Sequence, residues 1–181
     1  MTSSILTFSG KLFDVLNPDP NLIDLVDIAA ALSKLCRFGG HCRHFYSVAE
    51  HSVLTADLIQ QSYPGDSSLT KWALLHDASE AYMVDIPRPV KRQLQDYVRL
   101  EDAIQETIAK RFGLPWPMPH SVHHADEVLL ATEARDLMAP FADDWHLKAS
   151  PLAETVIPIS PMDAEALFLA RAKELGIRNP R

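Results

Sequence analysis

Apolar residues recur every three or four positions along almost the whole chain, a spacing that places them on one face of an α-helix. Leu25, Ile28, Leu32 and Leu35 follow Asp24, an N-cap residue with Asp27 three positions on. Arg37-Phe38-Gly39-Gly40-His41 ends that helix, because glycine admits backbone angles that other residues avoid. Ser47-Val48-Ala49-Glu50 reads as a capping box, which predicts a second helix to about Gln61 with His51, Leu54 and Leu58 facing inward. After the turn Tyr63-Pro64-Gly65-Asp66, a third helix is predicted from about Leu69 to Tyr82. Asp85-Ile86-Pro87-Arg88-Pro89 breaks it and leads into a fourth, with Leu94, Val98, Ile104 and Ile108 inside. A proline-dense link, Gly113 to Pro119, precedes a fifth helix from about Ser121 to Met138, with Val122, Asp126, Leu129, Glu133 and Leu137 down one side. Trp116, in that link, is read as a packed core anchor. The stretch Pro140 to Pro158 lacks periodicity and reads as a loop. Ser160-Pro161-Met162-Asp163 then opens a last helix to about Gly176. No repeat, low-complexity tract or strand is read. The expectation is an all-α, single-domain helical bundle over residues 1–181.

Composition narrows the function classes. With 47% hydrophobic and 23% charged residues in 181 positions, the chain is an ordinary globular mix, long enough to bury roughly 70% of its unfolded surface. A net charge of −7 repels a polyphosphate backbone, so no nucleic-acid partner is expected. A small anionic substrate stays compatible, since a bound cation inverts the local potential of a cleft. No apolar run is long enough for a membrane span, and the N-terminus lacks a signal-peptide pattern, so a cytoplasmic protein is expected. Cys36 and Cys42 are the 2 cysteines, too few for a disulfide framework. A zinc site from Cys36, His41, Cys42 and His44 is set aside, because the spacing is not that of a zinc knuckle and Arg37 and Arg43 crowd it.

Chemistry concentrates in four side chains. His76 and Asp77 follow the apolar run Trp72-Ala73-Leu74-Leu75, and consecutive helical side chains about 100° apart can both reach one cleft. His51 falls on the apolar face of the preceding helix and Asp126 on that of a later one. A buried imidazole or carboxylate is costly unless paired or metal-bound. Two histidines and two aspartates from three helices can therefore form one cage for a divalent cation. The competing reading is two satisfied core histidines with carboxylates pairing at the surface.

Larger stretches then carry a resemblance. Phe45-Tyr46-Ser47-Val48-Ala49-Glu50-His51-Ser52, Leu74-Leu75-His76-Asp77-Ala78-Ser79-Glu80-Ala81-Tyr82 and Asp85-Ile86-Pro87-Arg88-Pro89-Val90-Lys91 resemble the HD-domain phosphohydrolases. Within them they are similar to the small branch of bacterial 5′-deoxynucleotidases and phage dATP triphosphohydrolases. Ala125-Asp126 with Ala131-Thr132-Glu133-Ala134-Arg135 resembles the closing aspartate helix, and the order H…HD…D is kept between about Gly10 and Met138.

The resemblance implies one divalent metal cation held by His51, His76, Asp77 and Asp126. It implies that Glu80, one turn beyond His76, orients or deprotonates the attacking water, and that Asp85 sits near the leaving oxygen or the sugar. Arg37 would hold phosphate and Phe38 would line the nucleoside pocket, although the family usually carries tryptophan where Phe38 stands. Lys91 would bind phosphate, or form a solvated charge pair with Arg92. His123 would contact phosphate when protonated, or lie at the surface. His41 and His44 are read first as loop polar residues. The family also implies self-association into a homo-oligomer. The leading expectation is hydrolysis of 5′-deoxynucleoside monophosphates to deoxynucleoside and phosphate. The alternatives are release of triphosphate from a dATP-type substrate and a catalytically silent nucleotide- or metal-binding module. A cyclic-dinucleotide phosphodiesterase would need ligands for a second metal that this sequence does not present.

Overall fold

Side-chain caps set the helix boundaries much as the sequence spells them. The computed structural model describes residues 3–140, 145 and 147–179. Asp24 accepts from the Val26 amide and opens α1 (Leu25–Leu32); Ser47 accepts from the Glu50 amide and opens α2 (Val48–Ser62). Asp66 accepts from the Leu69 amide and opens α3 (Ser67–Leu75). The short α4 (Glu80–Met83) and α5 (Arg88–Lys91) follow, then α6 (Gln95–Phe112) and α7 (His120–Leu137). Ser160 caps α8 (Pro161–Glu174), with proline in its first turn. The fold is all-α in class, and α2 lies at its centre, packed on α3, α7 and α8.

One buried cluster ties these elements together, with Trp72, Phe13, Phe168, Ile28, Leu32, Ile59, Ile104 and Ile108 among its fully buried members. Because α2 is covered from several sides, its burial is nearly all round: Val53, Ala56 and Ile59 are buried, whereas Leu54 and Leu58 are only half-buried. Leu94, expected inside, is exposed and caps α6, and Val98 is half-buried, while Ile104 and Ile108 lie in the core as expected. Trp116 is exposed rather than a core anchor. The anchor is Trp72, whose Nε1 donates to the Pro115 carbonyl at 2.8 Å, with the Trp116 ring leaning on it at 6.1 Å. The loop expected from Pro140 to Pro158 is irregular where described; residues 141–144 and 146 lie outside the described residues. Among the described residues no helix is long and apolar enough to cross a membrane.

Three expectations need correction. A two-stranded hairpin is present, β1 (Ser4–Leu6) against β2 (Leu12–Asp14), with Ile5 opposite Phe13. Strands of 3 residues are too short to print an alternating pattern. The hairpin is held by Phe13, buried with its ring 4.2 Å from that of Tyr82. Second, Asp27 does not complete a capping box with Asp24. Its carboxylate turns to Ser9, accepting from both the amide and the hydroxyl, and so ties the hairpin to α1.

Third, the helix read from Leu69 to Tyr82 is not continuous: α3 ends at Leu75, and residues 76–79 form a turn before α4. The cause is Gln105 of α6. Its Nε2 donates to the Leu75 carbonyl at 2.7 Å and its Oε1 accepts from the Ser79 amide at 2.9 Å. Those two backbone groups would bond each other in an unbroken helix. A side-chain amide inserted between them opens the helix at the His76-Asp77 pair.

Candidate metal centre and its pocket

His51 reaches the centre from the first turn of α2 and His76 from the turn after α3, and their Nε2 atoms lie 3.1 Å apart. His76 Nδ1 is 2.7 Å from the Ala73 carbonyl, so it donates there and leaves Nε2 as the ligating nitrogen. Asp77 Oδ2 is 3.2 Å from His76 Nε2 and 3.7 Å from His51 Nε2. Ligands about 2.1 Å from one cation stand roughly 3.0–3.4 Å from each other, so this spacing is that of a coordination sphere. His51, His76 and Asp77 form a group that could hold a metal ion. Asp126, the fourth expected ligand, lies outside that group and touches it through His51, with Oδ1 3.2 Å from Nε2, while its Oδ2 accepts a hydrogen bond from Arg88.

Charge favours a cation there. Burial alone would neutralise Asp77, but His76 and His51 hold its carboxyl far below the carboxylate range, and His51 does the same for Asp126. Burial and Arg37 oppose protonation of His51, yet Glu133 and Asp126 win and push its pKa up to about 9. Glu80 is buried, and burial, with Asp77 and Asp85 nearby, raises its pKa well above the ordinary value. Among the described residues nothing donates to its Oε2. Its Oε1 lies 3.6 Å from Lys91 Nζ, which also bonds Glu101 at 2.8 Å.

These groups open on a cavity of about 530 Å³. Arg37, Phe38, Asp77, Glu80, Asp85, Lys91 and Asp126 line it, with Ile86, Pro87, Pro89, Leu130, Met138 and Trp145 supplying apolar wall. His51 and His76 do not line it; they lie buried behind the floor, where Asp77 and Asp126 reach them. Burial raises the Asp85 pKa against the pull of Arg37. His41 also lines the cavity, whereas His123 stands on the exposed face of α7 outside the lining. Desolvation holds the His123 imidazole below the usual histidine value, against the pull of Asp126. Cys36 and Cys42 are free thiols with sulfurs 3.5 Å apart, and they join no metal-binding group among the described residues.

The corners of the pocket are strained. Phe38 sits at φ 57° and Val84 at φ 76°, backbone conformations that side chains other than glycine adopt at a cost of about 1–3 kcal/mol. Phe38 is presented on a tight turn that places its ring 6.5 Å from that of Trp145, edge to face. Val84 is pinned by the Tyr97 hydroxyl, which donates to its carbonyl at 2.5 Å, and it delivers Asp85 to the cavity.

Four residues escaped the sequence reading as site members or were placed only loosely. Arg88 is bonded to Asp126. Trp145 lies in an aperiodic stretch that gives no signal. Glu133 and Tyr46 form a buried layer behind the floor: Glu133 Oε1 is 2.6 Å from His51 Nδ1 and accepts from the Tyr46 hydroxyl at 2.8 Å, and Oε2 accepts from Arg37 Nε at 3.1 Å. The signal for Glu133 was its position two turns after Asp126 on the same face of α7. Burial opposes its charge, but Arg37 and His51 keep its pKa low.

No family model matches the chain. It is 45% identical over 179 residues to the uncharacterized protein YfdR of Escherichia coli, covering 96% of each sequence. It is 37% identical over 180 residues to the uncharacterized protein RCAP_rcc00048 of Rhodobacter capsulatus, covering 90% of each. With that identity running through nearly the whole length of both, the chain belongs to the family that YfdR and RCAP_rcc00048 represent.

Proposed function

We propose that this protein is a metal-dependent phosphohydrolase of the HD type acting on nucleotides, with a 5′-deoxynucleoside monophosphate as its first substrate. The observation that supports it is the His51–His76–Asp77 group, with Asp126 at 3.2 Å from His51, behind a cavity that Asp77, Asp126, Arg37 and Lys91 line. Histidine nitrogens and carboxylate oxygens are the donor set of a divalent transition metal. The carboxylates there outnumber the cations, and Glu80 Oε2 is without a donor, so the residues fit such an ion. His51, His76, Asp77 and Asp126 would hold it. When bound, it would lower the pKa of a water and polarise the phosphoryl group.

The remaining work falls to the chain's own side chains. Arg37 and Lys91 take the phosphate oxygens through charge-assisted hydrogen bonds. Glu80, buried and 3.6 Å from Lys91, orients the attacking water and accepts its proton at Oε2. Asp85, whose pKa burial raises, faces the leaving oxygen or the sugar. Phe38, Trp145 and the proline-rich wall receive the nucleoside. Incubation with each dNMP and dNTP plus Mg²⁺, Mn²⁺ or Co²⁺, with identification of the released phosphate, pyrophosphate or triphosphate, tests the reading. Absence of any phosphate release with every metal sinks it.

A second reading, removal of triphosphate from a dATP-type substrate, draws support from Arg88, a further cation on the rim. It is separated from the first by the product. A silent nucleotide-binding module is disfavoured because Glu80 and Asp85 both line the cavity.

A further inference from the structure

Glu133 is wholly buried behind the floor of the pocket, where donors from three elements meet one carboxylate. Tyr46 donates its hydroxyl and His51 its Nδ1–H to Oε1, and Arg37 donates Nε–H to Oε2. Each bond decides which edge of a planar group faces the cavity. With Nδ1 engaged by Glu133, His51 turns Nε2 toward His76 and Asp77, as the ring edge that would hold a cation. With Nε engaged, Arg37 directs Nη1 toward Asp77 at 3.4 Å and Nη2 toward Asp126 at 3.9 Å.

We propose that Glu133 is a positioning residue that sets metal affinity through His51 and anion affinity through Arg37 at once. The inference rests on the metal-dependent reading of the pocket. A glutamine in its place offers one acceptor oxygen and an amide that donates, so at least one of the three donors meets another donor. Aspartate keeps the charge but falls a methylene short. Tyr46→Phe removes one donor and leaves the charge and both other bonds.

The test titrates Zn²⁺ by calorimetry into metal-free wild type, Glu133→Gln, Glu133→Asp and Tyr46→Phe, then titrates inorganic phosphate into the zinc-loaded forms. Imidazole ¹⁵N shifts of His51 in the zinc-loaded protein report its tautomer. Expected for Glu133→Gln is a loss of about 10–100-fold in Zn²⁺ affinity, with phosphate binding weakened alongside and the His51 Nδ1–H signature altered. Glu133→Asp should fall between it and wild type, and it carries the same reading if the glutamine variant does not fold. Tyr46→Phe should stay close to wild type in both titrations. Unchanged Zn²⁺ affinity in Glu133→Gln, or a loss of zinc without a loss of phosphate, overturns the proposal. A wild type that binds zinc and phosphate but hydrolyses no nucleotide overturns the phosphohydrolase reading and leaves this role intact. A wild type that binds no zinc overturns both.

Discussion

The Nε2 atoms of His51 and His76 face each other across 3.1 Å, and among the described residues the acceptors beside them are the carboxylates of Asp77 and Asp126. Two imidazole nitrogens at this separation need a proton or a cation between them. We expect purified protein to carry about one divalent ion per chain, and His76→Ala and Asp126→Asn to lose it. Elemental analysis of the untreated variants checks this; full occupancy in both would remove the centre from these residues.

Gln105 holds the Leu75 carbonyl and the Ser79 amide apart. Gln105→Leu leaves the Leu75 carbonyl with the Ala78 amide as its partner, and leaves the Ser79 amide either unpaired or free to bond that carbonyl and close the helix. Left unpaired, that amide costs about 1–3 kcal/mol as a buried unsatisfied group. Either way Asp77 shifts relative to His51, so metal affinity should fall along with stability. Denaturant unfolding and a Zn²⁺ titration on one preparation measure both; intact metal binding would show that the opened turn is not needed by the centre.

Arg37 is buried and faces Glu133, Asp77 and Asp126. Arg37→Ala should weaken nucleotide binding by about 1.5–3 kcal/mol, the range for a charge-assisted hydrogen bond. It also leaves Glu133 Oε2 without its donor while Tyr46 and His51 still hold Oε1, so the fold should lose about 1–3 kcal/mol. Calorimetry with a dNMP and thermal unfolding separate the two effects. Unaltered nucleotide affinity in folded protein would confine Arg37 to a structural role.

Glu80 combines a free carboxylate oxygen with a raised pKa, as a water-handling base requires. Glu80→Gln keeps its shape and should lower turnover by about 10²–10⁴-fold while metal content stays near wild type. Turnover at saturating substrate, measured beside metal content, decides it. Near-normal turnover would pass the role to Asp85.

Glu50, the chain neighbour of His51, supplies a pH dependence of stability. Its carboxylate accepts from the Ile159 amide at 3.3 Å, yet burial pushes its pKa up to about 7 from an ordinary value of 4.5. The folded state thus binds this proton more tightly than the unfolded chain. The stabilisation is complete below about pH 4.5 and is lost as pH rises toward 7. Glu50→Gln should remove that loss, so its advantage in Tm over wild type should grow between those pH values. Parallel Tm profiles would show that Glu50 titrates normally.

Local chemistry wrote the helix starts into the sequence. Asp24, Ser47, Asp66 and Ser160 each satisfy amides only two or three residues away, and a sequence displays such short-range pairs directly. The periodic burial of Ile104, Ile108, Val122 and Leu129 was legible for the same reason, and so was the placement of His51 on an inward face. Nothing local announces that Gln105, roughly thirty residues downstream, splits the helix at His76, that Asp27 bonds Ser9 rather than its own cap, or that Glu133 binds His51 and Arg37 together. Those side chains had good local alternatives, and packing chose among them by bringing distant donors and acceptors into one dry interior, where an unpaired polar group costs most.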